Sequence, residues 1–123
     1  MRQSLILNKL PTDLNRYIAA LNSNRYSGNT IKQRETDWVH YECKIQKLKP
    51  IKKKVKIDFF WYIENKRKDP DNISFKKSIL DGLVRAGILK DDGLDEIEGF
   101  SDTFIVDLYE QVIVDLTEVS NSS

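Results

Sequence analysis

The sequence runs to 123 residues, 40% apolar and 32% charged, with 20 basic and 19 acidic side chains and a formal charge of +1. That length fits one compact domain and is short for two, no apolar run approaches the roughly 18 residues of a membrane-spanning helix, and MRQSLILNKL at the start has no small-residue cleavage site, so neither a membrane partner nor a signal peptide is expected. Cys43, the only cysteine, excludes an internal disulfide and a thiolate metal cluster and points to the cytoplasm.

Residues 1–123 read as one domain with a flexible tail at about 119–123. LPTDLNRYIAALNSNRY predicts an extended lead-in and a short helix capped by Thr12 or Asp13, with Leu14, Tyr17, Ile18 and Leu21 along one side. GNTIKQRETDWVHYECKIQKL predicts a longer helix that buries Ile31, Trp38, Tyr41, Cys43 and Ile45 and is closed by Pro50. In KKKVKIDFFWYIENK, Val55, Ile57, Phe59, Trp61 and Ile63 alternate with Lys54, Lys56, Asp58, Phe60, Tyr62 and Glu64. Period two with one wholly apolar set predicts a strand with an apolar face and a mixed face. ISFKKSILDGLVRAG predicts a helix of about 15 residues, roughly 22 Å long, stopped at Gly87. TFIVDL and QVIVDLTEV predict two more strands joined as a hairpin, with Glu110 and Gln111 near its turn. Helices and strands mix without a regular strand–helix–strand rhythm, which predicts an α+β fold, a mixed sheet packed with helices.

The near-zero net charge conceals a polarity along the chain. Residues 1–43 hold 6 basic and 4 acidic side chains, 44–68 hold 10 and 2, and 69–123 hold 4 and 13. A basic block attracts a polyphosphate backbone, and carboxylates repel one unless a divalent cation reverses their sign. Two aspartate clusters adjoin the basic block: Asp69 and Asp71 in KDPDN, and Asp91 and Asp92 in LKDDG. Magnesium and manganese take hard oxygen ligands, and converging carboxylates are the usual protein share of such a site. If the 69–71 segment is extended, as Pro70 favours for Asp69, both its carboxylates face one way. The two clusters meet only if the chain doubles back after Gly87. An EF-hand reading fails, because Ser74 stands where the loop needs glycine and Leu80 where it needs glutamate.

The helix between the clusters has an apolar stripe of Ile73, Ile79, Leu80, Leu83 and Val84. Lys76 falls in the middle of that stripe and Lys77 at its edge, one turn before Asp81. A lysine there needs a partner or a path to solvent.

KRKDPDN, a lysine in the following helix, LDGL, Gly87 and LKDDG, in that order, resemble the RusA-like Holliday junction resolvases, small metal-dependent endonucleases often carried by phages and prophages. The likeness covers about residues 54–117, and LPTDLNRYIAALNSNRY looks like a variant head seen in part of that family. The resemblance implies a metal-dependent nuclease that resolves four-way DNA junctions by paired nicks. It implies Asp69, Asp71 and Asp92 as ligands of magnesium, with manganese as substitute, Asp91 as an acidic helper, and an essential lysine. Counting back from Asp81 assigns that lysine to Lys77 and keeps Lys76 in reserve, because the stretch from Asp71 to the LDGL aspartate is two residues longer than the usual pattern. Lys52, Lys53, Lys54, Lys56, Lys66, Arg67 and Lys68 would track the DNA backbone, with no nucleotide cofactor. A homodimer is implied, matching the need for two symmetric cuts, and Phe60 and Tyr62 would stack on unpaired bases or pack at the dimer interface. The competing readings are a nuclease for forks or flaps, a non-catalytic branched-DNA-binding protein, and a protein interaction module whose acidic C-terminal half meets a basic partner. His40, without partners in the sequence, is assigned no role.

Overall fold

Val55–Ile63 forms one of the two inner strands of the sheet in the computed structural model, which describes residues 1–119. Of the tail expected at 119–123, residues 120–123 lie outside the described residues. The elements in chain order are β1 (Arg2–Leu7), α1 (Leu14–Ser23), α2 (Arg25–Ile45), β2 (Val55–Ile63), α3 (Pro70–Ile73), α4 (Lys77–Arg85), β3 (Ile97–Val106) and β4 (Gln111–Glu118). They make an α+β fold with a mixed sheet in the order β1-β4-β2-β3. β1 and β2 flank β4 in antiparallel sense, and β3 runs parallel to β2.

The alternation in β2 behaves as its period requires. Val55, Ile57, Phe59, Trp61 and Ile63 are buried, and with Leu5, Leu7, Val112, Val114 and Leu116 they form the inner face of the sheet. Val39 and Cys43 from α2, and Ile79 and Leu83 from α4, complete the core on that side. Asp58 and Asp115 stand opposite one another on the other face. Two like charges so placed destabilise a sheet, and hydrogen bonds offset this: Arg2 (2.6 Å) and Ser4 (2.5 Å) donate to Asp115, and Ser101 (2.5 Å) donates to Asp58.

Five expectations from the sequence are corrected. First, β1 was not foreseen as a strand; its short apolar patch buries Leu5 and Leu7 and turns Ile6 outward. Second, β3 and β4 are not a hairpin. Both pair with β2, one on each side, and residues 107–110 carry the chain past its end, where the Asp107 N–H donates to the Ile63 carbonyl at 2.9 Å.

Third, the buried face of α2 is made of small residues. Gly28, Thr36, Val39 and Cys43 face inward, whereas Tyr41 and Ile45 are exposed and Ile31 and Trp38 are only partly covered. The cause is close approach of α4: a Cβ on Gly82 would lie 2.4 Å from the Val39 side chain and 3.2 Å from the Thr36 carbonyl. Fourth, Pro50 does not close α2. The helix ends earlier, with Lys47 in the left-handed region (φ 57°) and the Leu48 N–H returning to the Cys43 carbonyl at 3.1 Å, a Schellman turn.

Fifth, the helix expected over 73–87 starts only at Lys77, and KDPDN itself holds a helical turn. Proline is favoured at the first position of a helix, so Pro70 starts the one-turn α3, and α4 begins afresh at Lys77. The stop at Gly87 is as expected. Its φ of 76° suits glycine, and the N–H groups of Gly87 and Ile88 return to Val84 and Leu83 at 3.0 Å. Asp13 caps α1 by accepting from the Arg16 N–H at 2.8 Å.

Candidate functional site

The direction of β2 decides where the expected site residues lie. β2 ends at Ile63 and leads through Lys66, Arg67 and Lys68 to Asp69. α4 then carries the chain back, and Asp91 and Asp92 fall just before β3, which begins beside Val55. The nine residues of β2 span roughly 30 Å at 3.3 Å each. The structure therefore puts the two aspartate clusters at opposite ends of the sheet.

At the finishing end of β2, Asp69 lines a cavity of about 490 Å³ with Lys9, Asp13, Arg16, Glu35, Arg67, Lys68 and Glu110 among its walls. Lys68 donates to Glu110 at 2.7 Å, Glu35 accepts from the Thr12 N–H at 2.7 Å, and Asn72 accepts from the Asn15 N–H at 2.8 Å, which ties the start of α1 to α3. Asp71 is exposed in the first turn of α3 and does not line this cavity. The extended 69–71 segment expected from the sequence is thus corrected: Asp69 is the residue before the helix and Asp71 is inside it, where side chains two apart diverge.

At the starting end, Asp91 and Asp92 are exposed and line a separate cavity of about 760 Å³ with Asn29, Lys32, Gln33, Thr36, Asp81 and Arg85. The Asp92 N–H donates to the Asp91 carboxylate at 2.8 Å. Lys52 and Lys53 are exposed beside Lys90, Asp95 and Glu96; Lys54 pairs with Glu98 at 3.8 Å, and Lys56 is exposed on the outer sheet face. Among the described residues, no three carboxylate, imidazole or thiol groups come together to hold a metal ion.

The two lysines after α3 have different surroundings. Lys77 is half exposed and reaches Asp81 at 3.9 Å, a carboxylate it shares with Lys32 at 3.5 Å. Lys76 turns inward, with its side chain 18% exposed. Its ammonium lies 2.9 Å from Asp102 and 3.2 Å from the Ser74 carbonyl, and 5.2, 5.8 and 5.9 Å from the ring centres of Phe59, Phe100 and Trp61. The other oxygen of Asp102 accepts from the Trp61 indole N–H at 2.8 Å.

Asp102 was missed in the sequence, although a signal was present. It sits between Phe100 and Phe104 at the spacing of one strand face, a carboxylate in an otherwise apolar row, and Lys76 is the matching exception in the helix stripe. Phe60 and Tyr62 are half-buried on the outer face of the sheet. Burial pushes the Cys43 thiol up to about 12, which leaves it protonated and unreactive at neutral pH.

Among the described residues, no helix is long and apolar enough to cross a membrane. The fold and its polar ends define a small α+β domain with mixed-charge clefts. Compared with known families and curated proteins, the chain matches no family model and no curated sequence.

Proposed function

We propose that this chain is a structure-selective DNA endonuclease that acts in the cytoplasm on four-way junctions, as a homodimer. The observation that carries the reading is the ordered set KRKDPDN, helical lysine, LDGL, Gly87 and LKDDG, whose members occupy the crossover between two parallel strands. Exposed Lys66 and Arg67 beside the Asp69 cavity supply positive charge for a phosphate backbone, and exposed Lys52 and Lys53 repeat it at the far end of β2. Such contacts make affinity fall steeply with salt. The homodimer supplies the two copies that symmetric nicks require, and the outer sheet face with Phe60, Tyr62 and half-exposed Ile6 is a surface for it.

Magnesium or manganese belongs to this reading as a requirement of the reaction. The resemblance gives the metal to Asp69, Asp71 and Asp92, so the test includes a variant of one of them. The separation of the two aspartate clusters favours a second reading, a branched-DNA-binding protein without catalysis.

A labelled immobile four-way junction and its matched linear duplex, incubated with magnesium, manganese or chelator, separate the two. The nuclease reading expects paired nicks in the junction that disappear in chelator and in Asp71→Asn while junction binding persists. Tight, salt-sensitive binding with no cut under any metal would overturn it in favour of the second reading. Cleavage of forks or flaps in preference to junctions would keep the enzyme class and change its substrate.

A further inference from the structure

We propose that Asp102 is a positioning residue that holds the Lys76 ammonium in store and releases it to a DNA phosphate. This rests on the DNA-binding reading above and deepens it by naming which lysine meets the backbone and what sets its position.

Three features of the geometry carry the inference. Lys76 is held by one carboxylate oxygen at 2.9 Å and the Ser74 carbonyl at 3.2 Å over a floor of three aromatic rings, and its side chain keeps 18% exposure. Ring contacts of this kind are worth about 0.5 to 2 kcal/mol, enough to orient an ammonium and too little to hold it against a phosphodiester. A lysine is a compact charge on a flexible stem and can swing, unlike the planar fork of arginine.

Asp102 also does not depend on Lys76. Its second oxygen keeps the Trp61 N–H at 2.8 Å, and with 27% exposure the vacated oxygen can take up water. Departure of the lysine therefore leaves no buried orphan, whose cost would otherwise oppose the exchange. Finally, Lys76 lies in the break that separates α3 from α4, immediately after the segment that holds Asp69 and Asp71. Its ammonium sits over Phe59, midway along β2, between the exposed basic residues Lys52 and Lys53 before the strand and Lys66 and Arg67 after it.

The exchange predicts a change of opposite sign from a structural role. With Asp102→Asn the competing carboxylate is gone and the Trp61 acceptor remains, so junction affinity rises about threefold, the worth of a partly exposed ion pair. Lys76→Met lowers affinity, and Lys76→Met/Asp102→Asn is no tighter than Lys76→Met alone. Asp107→Asn, the same charge change on an exposed residue beyond β3, leaves affinity unchanged. These dissociation constants are read by anisotropy of a labelled junction in chelator, with thermal unfolding to show that each variant is folded. In parallel, the Trp61 indole N–H signal is followed by NMR and moves when the junction binds.

An affinity that is unchanged or weaker in folded Asp102→Asn, or a Trp61 signal unmoved by bound junction, overturns the proposal and leaves DNA binding standing. No binding of the junction by the wild-type chain overturns the DNA reading itself.

Discussion

At the finishing end of β2, Lys68 closes on Glu110 at 2.7 Å and Asp69 faces a cavity walled by both signs of charge. At the starting end, Lys52, Lys53, Asp91 and Asp92 all stand exposed, and Lys54 meets Glu98 only at 3.8 Å. Both ends carry exposed cations, Lys66 and Arg67 at the one and Lys52 and Lys53 at the other, and the finishing end adds the short Lys68–Glu110 pair in the wall of its cavity. The difference follows from what each end is built on. The finishing end is pinned by the α1–α3 contact and by β3 and β4 leaving on either side of β2, so short side chains find set partners. The starting end is a set of loops tied by backbone bonds: the Ile51 N–H donates to the Ile88 carbonyl at 2.8 Å, the Val55 N–H to the Glu96 carbonyl at 2.9 Å and the Val119 N–H to the Lys54 carbonyl at 2.8 Å.

The strongest way to break this comparison is to displace the strut between the ends. Gly82→Ala drives a methyl into Val39, a branched side chain with no room to move, and into the Thr36 carbonyl. We expect a loss of about 3 kcal/mol in urea unfolding, the upper range of overpacking, with both ends loosened together in hydrogen exchange. A smaller effect distinguishes the ends in function. Neutralising Lys66 and Arg67 together should reduce the salt slope of DNA binding by about 2, measured as log affinity against log salt. An equal effect from Lys52 and Lys53 would mean that the backbone runs the length of the sheet, and no effect there confines it to the structured end.

The smallest effects sharpen the picture at the turns that deliver the chain to the starting end. Gly87 and Lys47 occupy the same place in two Schellman turns, with φ of 76° and 57°. Gly87→Ala should cost about 1 kcal/mol, and Lys47→Gly should gain less than 1 kcal/mol, because only glycine holds that conformation without strain. Both are read as shifts of the urea midpoint.

β2 was legible because nine residues of alternation are a local signal, and so were Asp13 and Gly87, whose roles depend on near neighbours. What escaped was set by distant partners. Insertion of β2 between β3 and β4 leaves no trace in the sequence that joins those two strands. The inward face of α2 is not legible from residue size, because the glycine in α4 lets Thr36 and Val39 lie closest while Tyr41 and Ile45 stay exposed. For the site, the identities of the charged residues were plain and their separation was not. It depends on β2 and β3 running parallel, which sends the returning helix to the far end. Lys76 and Asp102 were each visible as a charge among apolar neighbours, and only the structure shows that the two exceptions are one pair.

The sheet order has a consequence for how the protein comes into being. β4, the last of the elements to be synthesised, supplies the partner for both β1 and β2, and Arg2 reaches Asp115 across a separation of 113 residues. No stable antiparallel pair exists in the sheet until that strand has arrived. Contacts so distant in sequence make folding slow compared with helical domains of the same size, and during synthesis the apolar faces of β1 and β2 wait without their partner. A nascent chain of this kind is exposed to aggregation or to chaperones until β4 is free to pair.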